Sequence, residues 1–180
     1  MQVKDIFQAS TYIVLNVPSP VADRVKEIRR CFDPDRSHLS VEITLAGSGG
    51  LGTVMAGQNP EETFAKLAGI AKSITPFEAE FGHVERFPDT GIYYYTLKQP
   101  EHFINVHNML FASGIKFNPI KYPFTPHCTL KLALKTECSE DDFISRIQPP
   151  HETFVINTMS IYSLEEKDEP KLLHRVNLSG

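Results

Sequence analysis

The chain has 180 residues, of which 41% are hydrophobic and 22% charged, and its formal net charge is −4. This is an ordinary globular composition, suited to one domain or to two small lobes sharing a core. The acidic balance disfavours a protein that coats long nucleic acid, because such binding neutralises many phosphates, yet it leaves room for a local pocket that reads a single phosphate.

Thr11 to Val17 is dense in β-branched residues and predicts a buried strand ended by Pro18 and Pro20. Val21 to Cys31 predicts a helix, with Val21, Val25 and Ile28 inward and Arg24, Lys26, Glu27 and Arg29 on its other faces. His38 to Ala46 alternates apolar with polar residues and predicts a half-buried strand. Gly47 to Asn59 is a glycine-rich loop, followed by a helix over Pro60 to Ile74 with proline in its first turn. Phe77 to Phe87 and Ile92 to Leu97 predict two strands joined by turn chemistry at Pro88-Asp89-Thr90-Gly91. Glu101 to Ala112 predicts a third helix, stopped at Gly114. Thr125 to Leu134 predicts another strand, and Ser139 the N-cap of a short helix ending before Pro149. Phe154 to Leu164 and Leu172 to Leu178 predict a closing hairpin. Strands and helices are mixed, so the class is α+β.

No apolar run approaches the roughly 18 to 20 residues that cross a bilayer. The opening MQVKDIFQAS carries Asp5 and no apolar stretch of a secretory signal, so a cytoplasmic protein is expected. Cys31, Cys128 and Cys138 cannot all pair within the chain and match no zinc or redox spacing, so reduced thiols and no metal are expected.

Two strands behave as members of a diverged repeat. His38-Leu39-Ser40-Val41-Glu42-Ile43-Thr44-Leu45 aligns without a gap on His127-Cys128-Thr129-Leu130-Lys131-Leu132-Ala133-Leu134. Side chains in a strand alternate between faces, so His38, Ser40 and Glu42 project together, as do His127, Thr129 and Lys131, while Cys128 faces the core. Two imidazoles can exchange protons near neutral pH, and two hydroxyls can stabilise charge on phosphate oxygens. That set suits phosphodiester cleavage without a metal. His151-Glu152-Thr153 has the same spelling but an acidic residue where the core needs an apolar one, and reads as a strand entry.

With the lead-in Phe124-Thr125-Pro126, these motifs resemble the 2H phosphoesterase superfamily, and within it the bacterial and archaeal 2′-5′ RNA ligase-like proteins, which are RNA 2′,3′-cyclic phosphodiesterases. The resemblance covers nearly the whole chain, residues 1–180 as a single bilobal domain. It implies two antiparallel sheets related by pseudo-two-fold symmetry around a central cleft, with helices outside. It also implies hydrolysis of a 2′,3′-cyclic phosphate, on an RNA end or a small cyclic nucleotide, to a 2′-phosphate. His38 and His127 would be the catalytic pair, with no cofactor, and Ser40 and Thr129 the phosphate-binding hydroxyls. Lys131 stands where many relatives carry arginine, keeping charge but losing the bidentate fork. Phe124 would wall the pocket, and Glu42 is an acidic departure on the His38 face. A monomer with no membrane association is expected.

Several rivals stand beside this reading. The same site would serve 2′-5′ phosphodiester cleavage or RNA ligation, and a noncatalytic module for RNA ends or nucleotides could keep the cleft. A thiol nucleophile at Cys128 is disfavoured, because adjacent strand residues point opposite ways. Gly47 to Gly52 spells a dinucleotide fingerprint but opens no helix; a loop at the cleft rim is expected there. One of Tyr93, Tyr94 and Tyr95 could stack a base, while at least one must enter the core.

Overall fold

In the computed structural model, which describes residues 5–132, 144, 146–164 and 169–180, nine strands and three α-helices are present among the described residues. In chain order these are β1 (Ser10–Asn16), α1 (Val21–Phe32), a 3-10 turn (Pro34–Arg36), β2 (Glu42–Ala46), α2 (Pro60–Lys72), β3 (Phe77–Ala79), β4 (Phe81–Arg86), β5 (Tyr93–Leu97), α3 (Pro100–Ala112), β6 (Cys128–Lys131), β7 (Phe154–Ile156), β8 (Thr158–Leu164) and β9 (Pro170–Asn177). The fold is α+β, built on antiparallel sheets. Four strands run in the order β2-β1-β8-β9, three in the order β4-β5-β6, and β3 pairs with β7.

The helices form where apolar spacing and punctuation agree. Asn59 caps α2 by accepting a hydrogen bond from Glu62 N at 3.1 Å, with Pro60 at the first helical position. Gly114 takes a positive φ of 75° just past α3, where a side chain would be strained. The Ser139 cap and the end of the expected strand at Ala133 and Leu134 lie outside the described residues.

Two expected strands are each broken at a single residue. The run from Phe77 divides at Glu80 into β3 and β4, and the run from Phe154 divides at Asn157 into β7 and β8. The broken strands change sheets at these points, β3 and β7 pairing together while β4 and β8 join the two larger sheets. Glu80 accepts an ion pair from Lys98 at 2.5 Å, and its carbonyl accepts from Lys98 N. The Asn157 carbonyl accepts from Leu178 N.

A third difference bears on function. The strand expected from His38 begins only at Glu42. His38 lies in the turn after Pro34–Arg36, its side chain exposed, and Leu39 N donates to Arg36 O. The carbonyls of Leu39 and Ser40 are taken by the Arg29 guanidinium rather than by a sheet neighbour. From Val41 onward burial alternates, with Val41, Ile43 and Leu45 inside and Glu42 and Thr44 on the opposite face. β6 repeats that pattern, with Cys128 and Leu130 buried beside the half-buried Thr129 and Lys131.

β2 and β6 are each the edge strand of their sheet and lie against one another, with α1 beside β6. This juxtaposition places the two repeat motifs across a shared gap. One apolar core underlies both larger sheets, including Ile13, Ile43 and Leu45 on one side and Phe81, Tyr95 and Leu130 on the other.

Candidate active site

A cavity of about 210 Å³ opens between β2 and β6. Glu42 and Thr44 line it from β2, His127 and Thr129 from β6, Tyr12 from β1, and Arg29 from α1. Ser40, Ser48 and Gly49 also line it, so the glycine-rich loop does reach the cleft. The rest of that loop is tied down: Val54 N donates to Thr11 O at 2.8 Å and Asn118 N to Thr53 O at 2.8 Å. At Gly52, with φ 91°, a Cβ would fall 1.7 Å from Asn118 O, so the close approach requires glycine.

His127 sits at the entry to β6. Its Nδ1 lies 2.6 Å from Thr125 O. A carbonyl can only accept, so Nδ1 carries a proton, and in the neutral ring the lone pair is on Nε2. Phe87 and Tyr94 meet the ring edge-to-face, at centroid distances of 5.0 and 5.1 Å. Burial pushes the His127 pKa below the usual histidine value, against the opposing pull of the Thr125 carbonyl. The imidazole is held as a base, fixed in tautomer and orientation.

Across the cavity, Glu42 opens β2. Burial pushes its carboxyl up to about 7, and the nearby Arg29 charge opposes this. Its Oε2 has no hydrogen-bond partner among the described residues. Tyr12 stays a phenol for the same reason: burial, then the Glu42 charge and Tyr162, push its pKa up. The face carrying Glu42 and Tyr12 continues as a polar row. Ser160 Oγ donates to Asn16 Oδ1 at 2.5 Å, and Arg175 donates to Ser160 Oγ at 3.1 Å and to the Tyr162 hydroxyl at 3.2 Å.

Arg29 joins the two halves. It is 7% exposed; Nε and Nη2 donate to Thr129 O at 3.0 and 2.8 Å, while Nη1 donates to Ser40 O at 3.0 Å. Asp33 extends the clamp, its Oδ2 accepting from Leu132 N at 2.9 Å. The expectation that Arg29 lies on another face than Val21 and Val25 is corrected: it follows Val25 by one turn and shares the buried face of α1, where β6 covers it.

The structure brings together four of the residues singled out in the sequence, His127, Thr129, Ser40 and Glu42. It does not bring His38, Phe124 or Lys131 to the cavity wall. Phe124 stacks on His107 of α3 at 4.0 Å between centroids. Lys131 lies at the far end of β6, in register with Tyr93. Tyr93 and Tyr95 enter the core, and Tyr94 is the one on the Thr129 side, its hydroxyl donating to Glu85 Oε2 at 2.9 Å. Cys128 is fully buried and its thiol is pushed up to about 11 by burial, which disfavours a thiolate nucleophile. His151 lines a larger, open hollow of about 670 Å³ on the opposite flank of α1, beside Arg24, Cys31 and Ile147. There Arg24 is paired with Glu152 at 2.6 Å.

The repeat is therefore aligned differently in space. Glu42-Ile43-Thr44-Leu45 is the counterpart of His127-Cys128-Thr129-Leu130: Glu42 opens β2, His127 immediately precedes β6, and each motif presents its first and third residues to the cavity. Thr44 and Glu42 were legible in this sense, since Thr-Leu recurs at matching positions in the two motifs, but histidine identity pulls the alignment four residues upstream. Among the described residues no cluster of three or more His, Cys, Asp or Glu side chains could hold a metal ion. No helix among them is long and apolar enough to cross a membrane.

Two antiparallel sheets that meet through their edge strands around one cavity have the architecture of the 2H phosphoesterase fold, and solved structures superpose on it. E. coli LigT, crystallised with 3′-AMP, superposes with a TM-score of 0.65 at 19% identity, covering 96% of this chain and 99% of that one. TT0787 of Thermus thermophilus gives 0.62 at 18% identity, covering 95% and 98%. Usb1 of Kluyveromyces marxianus gives 0.53 at 11% identity, covering 96% and 99%. At these identities the likeness is one of fold. No curated protein sequence matches the chain. The profile of the 2′-5′ RNA ligase superfamily matches residues 17–168, and the chain belongs to that family, within the 2H phosphoesterases.

Proposed function

We propose that this protein is a metal-independent phosphodiesterase that opens 2′,3′-cyclic phosphates, on RNA ends or on nucleotides, to 2′-phosphates in the cavity between β2 and β6. The observation that carries this reading is His127, a neutral imidazole with a fixed tautomer beside the Thr129 hydroxyl and facing a second motif threonine, Thr44. The base activates water for in-line attack, and the hydroxyls of Thr129, Thr44 and Ser40 donate to the non-bridging phosphate oxygens as charge builds on them. Arg29 and Arg36 bring two positive charges to the lining, with Asp33 paired to Arg36 and Glu42 beside them, so the site suits one phosphate rather than a long polyanion. His38 takes no part in this reaction.

The cavity volume supports a small reacting group. At about 210 Å³ it falls below the roughly 300–1,000 Å³ of pockets that enclose a whole drug-sized ligand. That space suits a phosphoryl group with part of its ribose rather than a whole nucleotide. The fold relative LigT, crystallised with 3′-AMP, is in keeping with a nucleotide-sized ligand.

The test is an assay of the four 2′,3′-cyclic nucleotides beside 2′-5′ and 3′-5′ dinucleotides, all in EDTA. Cyclic substrates are expected to be opened to 2′-phosphates at a rate that EDTA does not change. Preferred cleavage of 2′-5′ dinucleotides would assign the site to linear 2′-5′ linkages instead. Tight nucleotide binding without product would make it a binding module.

A further inference from the structure

We infer that Glu42 is the second catalytic group of this site, a carboxylic acid that stands where the repeat calls for the partner of His127 and protonates the departing ribose oxygen. The inference rests on the proposed phosphodiesterase reading and completes it, because His127 alone supplies a base and no acid.

Geometry carries the assignment. Glu42 and His127 begin the two equivalent four-residue motifs, on the two edge strands that face each other, and both line one cavity. The residues that follow them match in kind and in burial: Ile43 with Cys128 inside, Thr44 with Thr129 at the cavity, Leu45 with Leu130 inside. A carboxyl group whose Oε2 is left without a hydrogen-bond partner is costly to bury unless a ligand completes it. The scissile phosphodiester of a bound substrate supplies such a partner in its bridging oxygen.

The surroundings keep this carboxyl largely protonated below about pH 7. The titratable and charged groups that face it are Arg29 from α1, Tyr12 from β1, and Cys128 and His127 on the β6 side, with Asp33 and Arg36 also on the cavity wall. Arg29 favours the ionised form, but its guanidinium is spent on the carbonyls of Thr129 and Ser40, and burial outweighs it, giving a pKa of about 7. His127 is shifted the other way. Two groups pushed apart in this fashion divide into a base and an acid.

The step then balances. The water oxygen bonds to phosphorus while its proton passes to Nε2 of His127. The bond from phosphorus to the ribose 3′-oxygen breaks, and that oxygen takes the Glu42 proton. Exchange with solvent afterwards removes the proton from His127 and restores the one on Glu42.

The competent form needs His127 neutral and Glu42 protonated, so it exists between the lowered histidine pKa and about 7. The value of kcat/KM is expected to fall as pH rises through about 7, by about tenfold per unit beyond it. The experiment measures kcat and KM against pH for wild type, Glu42→Gln and Glu42→His, with 2′,3′-cyclic AMP as substrate. Glu42→Gln is expected to lower kcat by ~10²-fold or more, to leave KM within about threefold, and to remove the alkaline limb. Glu42→His, which restores an imidazole acid, is expected to recover turnover to within about tenfold of wild type.

If Glu42→Gln keeps wild-type kcat and the alkaline limb, Glu42 is not the acid, while the phosphodiesterase reading survives through wild-type turnover. If wild type shows no turnover, both fall together. Should Glu42→Gln not fold, the wild-type profile still decides: a rate that stays flat to about pH 9 overturns the inference.

Discussion

Replacing His127 with alanine is expected to reduce turnover of 2′,3′-cyclic nucleotides by on the order of 10² to 10⁴. The ring makes its decisive contacts with the cavity and with Thr125 O, so the loss should fall on kcat while the fold persists. Its remaining contacts are edge-to-face with Phe87 and Tyr94, and these two rings are already packed on each other at 4.3 Å between centroids. Near-wild-type turnover by His127→Ala, with unchanged circular dichroism, would show that the chemistry lies elsewhere. His38→Ala provides the contrast. That side chain is exposed and does not line the cavity, so its removal is expected to change kcat by less than about twofold.

Arg29→Met is expected to destabilise the fold by about 3–5 kcal/mol. Methionine fills much of the space but cannot donate, so the carbonyls of Thr129 and Ser40 lose their charged partner in a buried setting. Denaturant unfolding checks the value. The same change is expected to weaken turnover even where the variant remains folded, because the guanidinium sets the spacing between the turn before β2 and the strand β6. It also removes the positive charge that opposes Glu42 protonation, so the alkaline limb of the rate profile should move up in pH. A loss of stability below about 1 kcal/mol would mean that the clamp contributes only as a surface ion pair does.

Much of the architecture follows from local pattern. Helix ends are marked by Asn59 and Gly114, and alternation from Val41 to Leu45 gives the correct face for Glu42 and Thr44. Alternation also fixes that Tyr93 and Tyr95 share a face opposite to Tyr94, though which face is the core depends on the strands packed around β5. What the pattern does not carry is where a strand starts. Residues 38 to 40 keep the polar–apolar rhythm of β2, yet the carbonyls of Leu39 and Ser40 go to Arg29, 10 and 11 residues earlier in the chain. The rhythm therefore extends past the strand, and it invites pairing His38 with His127 when Glu42 is the spatial counterpart.

The breaks at Glu80 and Asn157 are hidden for a related reason. Neither residue is a glycine or proline, and each break exists because the chain passes between sheets, a decision made by distant partners. Arg29 is hidden because its charge argues for water, although its spacing of four residues from Val25 puts it on the buried face of α1. Its burial follows from the Thr129 carbonyl, 100 positions downstream.

On the proposed function, the phosphoester binds in the gap between β2 and β6. The most direct test is a titration of the ¹⁵N-labelled protein with 2′-AMP, followed through backbone amide shifts. Perturbations are expected at Glu42 to Thr44, Ser48 and Gly49, and His127 to Leu130, with His38 and the hollow around Arg24 and His151 unaffected. Perturbations centred on that second hollow, with the β2 and β6 motifs silent, would contradict it.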